Sequence, residues 1–147
     1  MYDFSKEEGF GPEVKRRILL GTYVLSKGYA DAYYKKAQKV RALMVQKYRE
    51  AFKKCDFIAS PVSPFAAFEL GAKKDPIQMY LEDIYTIGIN LAGLPAISVP
   101  AALSKEGLPM GLQLIGPQLA DANVIRAAHA FESISGLKNR LPEFANV

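Results

Sequence analysis

The amino-acid sequence predicts an α/β fold in which a sheet is covered by helices on both faces. Segments with helical spacing and apolar runs follow one another in the order helix, helix, strand, helix, strand, strand, helix. This order is typical of layered α/β proteins, and strands that are apolar along almost their whole length are typical of a sheet buried on both sides. Three strands are few for such a sheet, so we expect its other strands to lie outside these 147 residues.

Two helices are predicted in the first third of the chain. The first begins at Pro12, which suits the first helical turn, and ends at Gly28. The second follows the capping residue Asp31, and its apolar line runs from Tyr33 to Cys55. Lysines and arginines cover most of its other faces. We interpret them as a solvated cationic face, because aromatic side chains are not interleaved with the cations as nucleic-acid stacking requires.

A strand and a third helix are predicted next. The run DFIASPVSPF at 56–65 is typical of a short buried strand that leaves into a loop at its prolines. The third helix begins at Asp75 and Pro76, a cap followed by the residue best suited to the first helical position. The spacing of its apolar residues predicts one uninterrupted helix as far as Leu91.

The last part of the chain contains two strands and a helix. The strands are predicted at 96–103 (AISVPAAL) and 110–116 (MGLQLIG), with a polar turn between them, and the helix begins at Asp121. Neither an internal repeat nor a linker is evident in the sequence. We therefore expect residues 1–147 to belong to one domain.

The composition is that of an ordinary globular domain, with 50% hydrophobic and 23% charged residues. The net charge of +4 is only a weak indication of anionic partners. With one cysteine, Cys55, and one histidine, the sequence excludes an internal disulfide and a Cys/His zinc cluster, so we expect a reduced, cytoplasmic, metal-free chain. Its first residues lack the apolar run of a signal peptide, and no apolar stretch approaches the roughly 20 residues of a membrane span.

Three segments, in this order, resemble amidase-signature enzymes: GFGPEVKRRILLGTYVLSKGYADAYYKKAQKVR at 9–41, INLAGLPAISVP at 89–100 and GLPMGLQLIGP at 107–117. The first is most similar to the branch of this family that serves the glutamine-dependent amidation of Glu-tRNA(Gln). The resemblance implies that the strands belong to the mixed central sheet of the amidase-signature fold. It also implies that the chain is the C-terminal segment of that domain, without the N-terminal catalytic half. Ala30, where the family usually has a tyrosine, departs from the pattern.

The resemblance implies catalysis by a serine nucleophile, a second serine and a lysine base, all in the N-terminal half of the family's domain. The serines of this chain are scattered, and none lies in a glycine- and serine-rich loop beside a base. His129 lies in a predicted helix without a nearby acid and nucleophile, as is usual for a packed or surface histidine. We therefore expect no catalytic residue here and no activity of the chain on its own.

Two positions match residues that hold free glutamine in the tRNA-linked branch of the family. The resemblance assigns Arg17 to the glutamine carboxylate and Asp83 to its amino group, and a guanidinium fork and an anion suit these roles. Arg16 is the alternative to Arg17, which we favour because it neighbours Ile18 on the apolar line of the helix. For Asp83 the alternative is an ordinary solvated acid beside Glu82. Its helical stripe also contains Met79, Thr86 and Asn90.

The function implied by the resemblance is the release of ammonia from glutamine through an acyl-enzyme. The ammonia would pass to a partner subunit of a heterotrimeric amidotransferase, where Glu-tRNA(Gln) activated by ATP becomes Gln-tRNA(Gln). ATP and magnesium would be used on the partner subunit, so we expect no cofactor in this chain, only indirect engagement of tRNA, and no membrane contact. Two alternatives remain at this point: a fragment of a general amidase, and an autonomous basic module that binds nucleic acid or proteins.

Overall fold

The computed structural model describes residues 9–26, 29, 33–72 and 76–137, which form a mixed α/β arrangement as predicted. The helices are α1 Pro12–Leu25, α2 Lys35–Ala51, α3 Pro76–Glu82, α4 Ile87–Ala92 and α5 Asp121–Ser135. The strands are β1 Ile58–Pro61, β2 Ala96–Leu103 and β3 Pro109–Ile115. The chain divides into two compact units, Met1–Leu43 and Met44–Val147.

Helix α1, in the first unit, begins where the sequence predicts. Pro12 occupies its first turn, where the missing N–H costs no hydrogen bond. The helix ends at Leu25, because the next residue, Ser26, leaves the helical conformation. Both the N–H and the hydroxyl of Ser26 donate to the carbonyl of Tyr23, at 3.1 and 2.7 Å. These bonds satisfy one of the carbonyl groups that a helix end leaves without a partner.

A row of tyrosines begins in α1 and continues after it in the same unit. The ring centroids of Tyr23 and Tyr29 lie 4.4 Å apart, and those of Tyr29 and Tyr33 lie 6.0 Å apart. The hydrogen bond with Tyr29 raises the pKa of the Tyr23 hydroxyl above its ordinary value. Helix α1 ends at Leu25, three residues before the predicted end at Gly28. Gly28 and the predicted cap at Asp31 lie outside the described residues, so the cap stays a prediction.

Helix α2 ends at Ala51, one turn before the predicted end at Cys55. The N–H groups of Lys53 and Lys54 donate to the carbonyls of Glu50 and Ala51, three residues earlier in each case. Such bonds tighten the last turn and are common where an α-helix stops. Cys55 itself is exposed.

The second unit contains a three-stranded antiparallel sheet in the order β1-β3-β2, and it includes the three strands that the sequence predicts. Strands β2 and β3 form a hairpin whose turn is closed by Ser104, since its Oγ accepts the N–H groups of Glu106 and Leu108 at 3.2 Å each. Gly107 supplies the left-handed backbone of this turn, with φ of 80°. Strand β1 is half-buried rather than buried, because it pairs on one side only and ends at Pro61.

One face of the sheet packs against α5. The antiparallel register pairs Ile97 with Leu114 and Val99 with Leu112, which places these four side chains on the same face. Val99, Leu114 and Ala128 of α5 are the buried members of this cluster. The half-buried side chains packed around them are Ile97, Leu112, Ala127 and Phe131. This cluster is the core that joins helix and sheet.

Close contact between the end of β3 and α5 requires a glycine at position 116. A Cβ atom on Gly116 would overlap Cγ2 of Val124, a side chain that is only 2% exposed, and would also lie 3.7 Å from Cβ of Ala120. A larger residue would therefore push the first turns of α5 away from the sheet.

The prediction of one uninterrupted third helix is wrong, because α3 ends at Glu82 and α4 begins at Ile87. Between them, the carbonyl of Asp83 accepts the N–H groups of Thr86 and Ile87 at 3.0 Å each, and the hydroxyl of Thr86 at 3.1 Å. A hydroxyl that bonds to a nearby carbonyl competes with the helical pattern, and β-branched residues are weaker helix formers. The predicted cap at Asp75 lies outside the described residues.

Many large apolar side chains are exposed. Helices α1 and α2 contain no buried residue in the part that the structure describes. Leu19 and Leu20 of α1 are 70% and 58% exposed, and Ile77 and Ile84 are 66% and 57% exposed. Among the helices of the described ranges, none combines the length and the apolar character that crossing a membrane requires.

Candidate functional site

A pocket of about 520 Å³ lies beside the sheet in the second unit. It is lined by residues 61–68, from the last residue of β1 onward, by Ser98 of β2, by residues 109–111 of β3, and by Glu82 and Tyr85. This volume falls within the range of roughly 300 to 1,000 Å³ that is common for small-molecule sites. A mainly apolar wall with a few polar groups is also usual for such sites.

Glu82 provides the carboxylate of this pocket. The hydroxyl of Ser63 donates to Oε2 of Glu82 at 2.9 Å, and Oε1 is shielded from solvent. Because Ser63 follows β1 and Glu82 ends α3, this hydrogen bond joins two walls of the pocket. A carboxylate held in this way can accept further hydrogen bonds from ammonium or amide donors.

Three polar residues lie side by side across the sheet, on the face that includes the pocket residue Ser98. Ser60 of β1 and Ser98 of β2 both pair with Gln113 of β3, the central strand. Gln113 is polar but buried, with 6% of its surface exposed, and its neighbours along the strand are apolar. Its Nε2 donates to Oγ of Ser60 at 3.1 Å and to the carbonyl of Tyr85 at 3.0 Å. This face of the sheet is thereby tied to the turn between α3 and α4.

Asp83 is exposed and lies in that turn, next to Glu82 but outside the pocket lining. The helical stripe predicted around Asp83 forms only in part, because the helix is interrupted there. Thr86 contacts Asp83 through its hydroxyl, and the Nδ2 of Asn90 donates to the carbonyl of Thr86 at 3.1 Å. Met79 lies before the interruption, on α3.

Arg17 and Arg16 both contact Glu13 on α1. The Nε of Arg17 lies 2.9 Å from Oε1 of Glu13, and Nη1 of Arg16 lies 3.0 Å from Oε2. Their side chains are 65% and 55% exposed, so burial does not single out either arginine. Arg17 belongs to the first unit and Asp83 to the second, and the pocket described above is lined by neither.

The residues that line or support the pocket are not among the site residues predicted from the sequence. Gln113 gives a usable signal, since one amide within the apolar run MGLQLIG must find hydrogen-bond partners when it is buried. Ser98 gives a similar signal, because it is the polar residue within the apolar run AISVP at 96–100. Glu82 gives none, because a glutamate beside an aspartate on an amphipathic helix is ordinary. The two acids are distinguished only in the structure, where Glu82 accepts a hydrogen bond from Ser63 and lines the pocket, whereas Asp83 does not line it.

The remaining predictions from the sequence concern the cationic face of α2, His129 and metal binding. The cationic side chain of Lys47 is 68% exposed on α2, and its Nζ lies 3.1 Å from Oε2 of Glu50. That hydrogen bond lowers the pKa of the Glu50 carboxyl below its ordinary value. His129 is exposed on α5. In the ranges that the structure describes, no group of three or more His, Cys, Asp and Glu residues could hold a metal ion.

Comparison with known proteins gives the family. Residues 1–125 match the family model described as Amidase. The chain belongs to the amidase family. Its relatives include a Glutamyl-tRNA(Gln) amidotransferase subunit of Protochlamydia amoebophila (strain UWE25), 72% identical over 143 residues, which are 97% of this chain and 29% of that protein. The solved structure of the corresponding Thermotoga maritima subunit is 50% identical with a TM-score of 0.71, and the match covers 86% of this chain and 28% of that one.

A solved structure described as an amidase is 27% identical with a TM-score of 0.70, covering 86% of this chain and 29% of that one. The predicted resemblance to amidase-signature enzymes is confirmed, and so is the closer similarity to the amidase-family subunit of Glu-tRNA(Gln) amidotransferases. This amidase-family chain spans less than a third of the length of these relatives, 28% to 29%. Its predicted position as the C-terminal segment, without the catalytic half, stays a prediction.

Proposed function

We propose that this chain is part of an amidotransferase subunit that hydrolyses glutamine and supplies ammonia for the conversion of Glu-tRNA(Gln) to Gln-tRNA(Gln). The observation that carries the proposal is the 72% identity to the Protochlamydia amoebophila subunit over 97% of the chain. The alternative of a general amidase fragment has less support. The amidase structure has nearly the same TM-score as the Thermotoga maritima subunit, 0.70 against 0.71, but its identity is 27% against 50%.

In this proposal the chain binds glutamine and supports the site, while the rest of the domain performs the chemistry. A serine from outside the chain attacks the carboxamide carbon of glutamine, and ammonia leaves once the nitrogen has received a proton. Water then cleaves the resulting ester and releases glutamate. A second serine and a lysine, also outside the chain, move the protons. No side chain described here is proposed as nucleophile or base.

Arg17 is proposed to bind the α-carboxylate of glutamine and Asp83 its α-ammonium group. Both side chains are exposed, so a ligand can reach them without unfolding of the segments that carry them. Glutamine would take the place of Glu13 as a carboxylate partner of the Arg17 guanidinium. Charge-assisted hydrogen bonds of this kind are worth about 1.5 to 3 kcal/mol each.

The released ammonia is proposed to reach a partner subunit of a heterotrimeric complex in the cytoplasm, where ATP and magnesium serve the activation of Glu-tRNA(Gln). No residue of this chain is proposed to hold ATP, magnesium or tRNA. The names of the relatives, which describe a subunit, support membership of a multi-subunit amidotransferase.

The test is a chimeric subunit in which this chain replaces the matching part of the Thermotoga maritima protein, in complex with the partner subunits of that protein. We expect glutamine and ammonium salts each to support formation of Gln-tRNA(Gln). A chimera that assembles and uses ammonium but neither binds nor hydrolyses glutamine would refute the proposal. If it hydrolysed simple amides instead, the general amidase would be favoured. Salt-sensitive binding of tRNA by this chain alone would favour the basic module.

A further inference from the structure

We propose that Gln113 is a positioning residue that holds the Asp83 turn in place for substrate binding. The inference rests on the proposed function, because it gives Asp83 its role. Among the residues that the structure describes, Gln113 is the one buried polar side chain, and it lies on the central strand of the sheet. A buried amide at such a position needs partners, since each unmet hydrogen bond there is costly.

The partners of Gln113 connect two separate parts of the second unit. Its Nε2 donates to Oγ of Ser60 on the neighbouring strand at 3.1 Å. It also donates to the carbonyl of Tyr85 at 3.0 Å. Tyr85 lies two positions after Asp83, within the turn between α3 and α4. One side chain of the rigid sheet therefore fixes the backbone of the segment that carries the proposed ammonium ligand.

The turn itself is closed around Asp83. Its carbonyl accepts two N–H groups and the Thr86 hydroxyl, all between 3.0 and 3.1 Å. After the turn, Ile89 and Ala92 of α4 are each only 5% exposed, which anchors the following helix. Before it, Glu82 is joined to Ser63 at 2.9 Å. The Tyr85 carbonyl is thus the point at which the middle of the turn is bonded to the sheet.

If Gln113 positions Asp83, its loss should impair the reaction with glutamine more than the reaction with ammonium, whereas a purely stabilising residue would not distinguish the two. Small displacements of a binding group weaken a substrate contact that depends on geometry. Ammonia does not use the Asp83 carboxylate in the proposed function. Loss of the Gln113 contact should therefore raise the KM for glutamine while ammonium-dependent amidation continues. General destabilisation would reduce both reactions together.

The experiment compares Gln113→Met, Gln113→Glu and Ser60→Ala in the assembled chimeric subunit. Methionine keeps the length of the side chain without its hydrogen bonds. Glutamate keeps the shape of the side chain, but when ionised it can donate neither to the Tyr85 carbonyl nor to Oγ of Ser60. Ser60→Ala removes the other partner of Gln113 and leaves the Tyr85 contact. Asp83→Asn measures the role of Asp83 itself, and assembly is followed by size-exclusion chromatography.

We expect Gln113→Met and Gln113→Glu to raise the KM for glutamine about tenfold, which corresponds to about 1.4 kcal/mol and is the size expected for loss of the bond to the Tyr85 carbonyl. Ammonium-dependent amidation should stay within about twofold of the parent, and Ser60→Ala should change neither reaction by more than this. If Asp83→Asn raises the KM but an assembled Gln113 variant does not, the inference is wrong and the proposed function stands. Equal losses with glutamine and ammonium in both Gln113 variants would also overturn it. If Asp83→Asn has no effect, the proposed role of Asp83 fails and the inference with it.

Discussion

Replacing Gly116 by alanine should loosen the contact between the sheet and α5. The added Cβ would overlap Cγ2 of Val124, and it would also be in van der Waals contact with Ala120 and Pro95 at 3.7 and 3.8 Å. Val124 cannot move away easily, because it is 2% exposed and sits in the first turns of α5. Overpacking of this kind costs about 1 to 3 kcal/mol.

The companion change Val124→Ala removes the methyl group that the new Cβ would meet. On its own it should destabilise the segment by about 0.8 kcal/mol for each methylene-sized group lost. In the double variant, the collision is absent. The two effects should therefore combine to less than their sum, with a coupling of about 0.5 to 3 kcal/mol, as is usual for residues in contact.

Hydrogen exchange followed by mass spectrometry in the chimeric subunit measures this cost locally, on peptides from β3 and α5. A loss of about 1 to 3 kcal/mol corresponds to exchange about 5 to 150 times faster. Gly21→Ala in α1 is the matched control, because nothing lies within 4 Å of the added Cβ there. Exchange in α5 that stays unchanged in Gly116→Ala, or effects that simply add in the double variant, would refute the close contact.

Three further predictions concern binding, activity and association. Arg17→Ala and Asp83→Asn should each weaken apparent glutamine affinity about tenfold to a hundredfold while ammonium-dependent amidation continues, and Arg16→Ala should resemble the parent. Steady-state kinetics of the chimera with both nitrogen donors tests this, and equal losses with glutamine and ammonium would make Arg17 structural. The chain alone should show no glutaminase activity and no labelling by acyl-serine reagents, and a stable acyl-enzyme on any of its serines, detected by intact mass, would contradict the division of roles. Because side chains such as Leu19 and Ile77 are exposed, the chain alone should bind apolar dyes strongly and self-associate, whereas a monomer with low dye binding in light scattering would argue against this.

The strands can be predicted from the sequence because their signals are local. β2 is predicted at 96–103 and observed at Ala96–Leu103, since an apolar run there ends at the polar turn that Ser104 closes. α5 is likewise predicted from Asp121 and begins there. The interruption between α3 and α4 cannot be predicted in this way. The apolar spacing continues across it, and the Gln113 contact that accompanies it comes from a strand distant in sequence.

The candidate site shows the same limit at the level of single residues. In an uninterrupted helix, the two acids Glu82 and Asp83 differ only in the direction of their side chains. The hydrogen bond with Ser63 and the pocket lining distinguish them, and both depend on the path of the loop after β1. Arg16 and Arg17 both contact the same glutamate, and both side chains are exposed. The kinetics of the two alanine variants is therefore what separates them.

The exposure of apolar residues on the helices can be explained by the kind of burial that an amphipathic pattern reflects. Such a pattern reflects burial in the complete protein, whereas exposure in this structure reflects only contacts within the chain. In α1 the apolar line includes Val14 and Ile18, which are 45% and 50% exposed here. The relatives are more than three times longer than the part of them that this chain matches, since the match covers only 28% or 29% of each. We expect the rest of such a protein to cover these side chains. The helical pattern is correctly recognised even though the burial it implies is absent from the described residues.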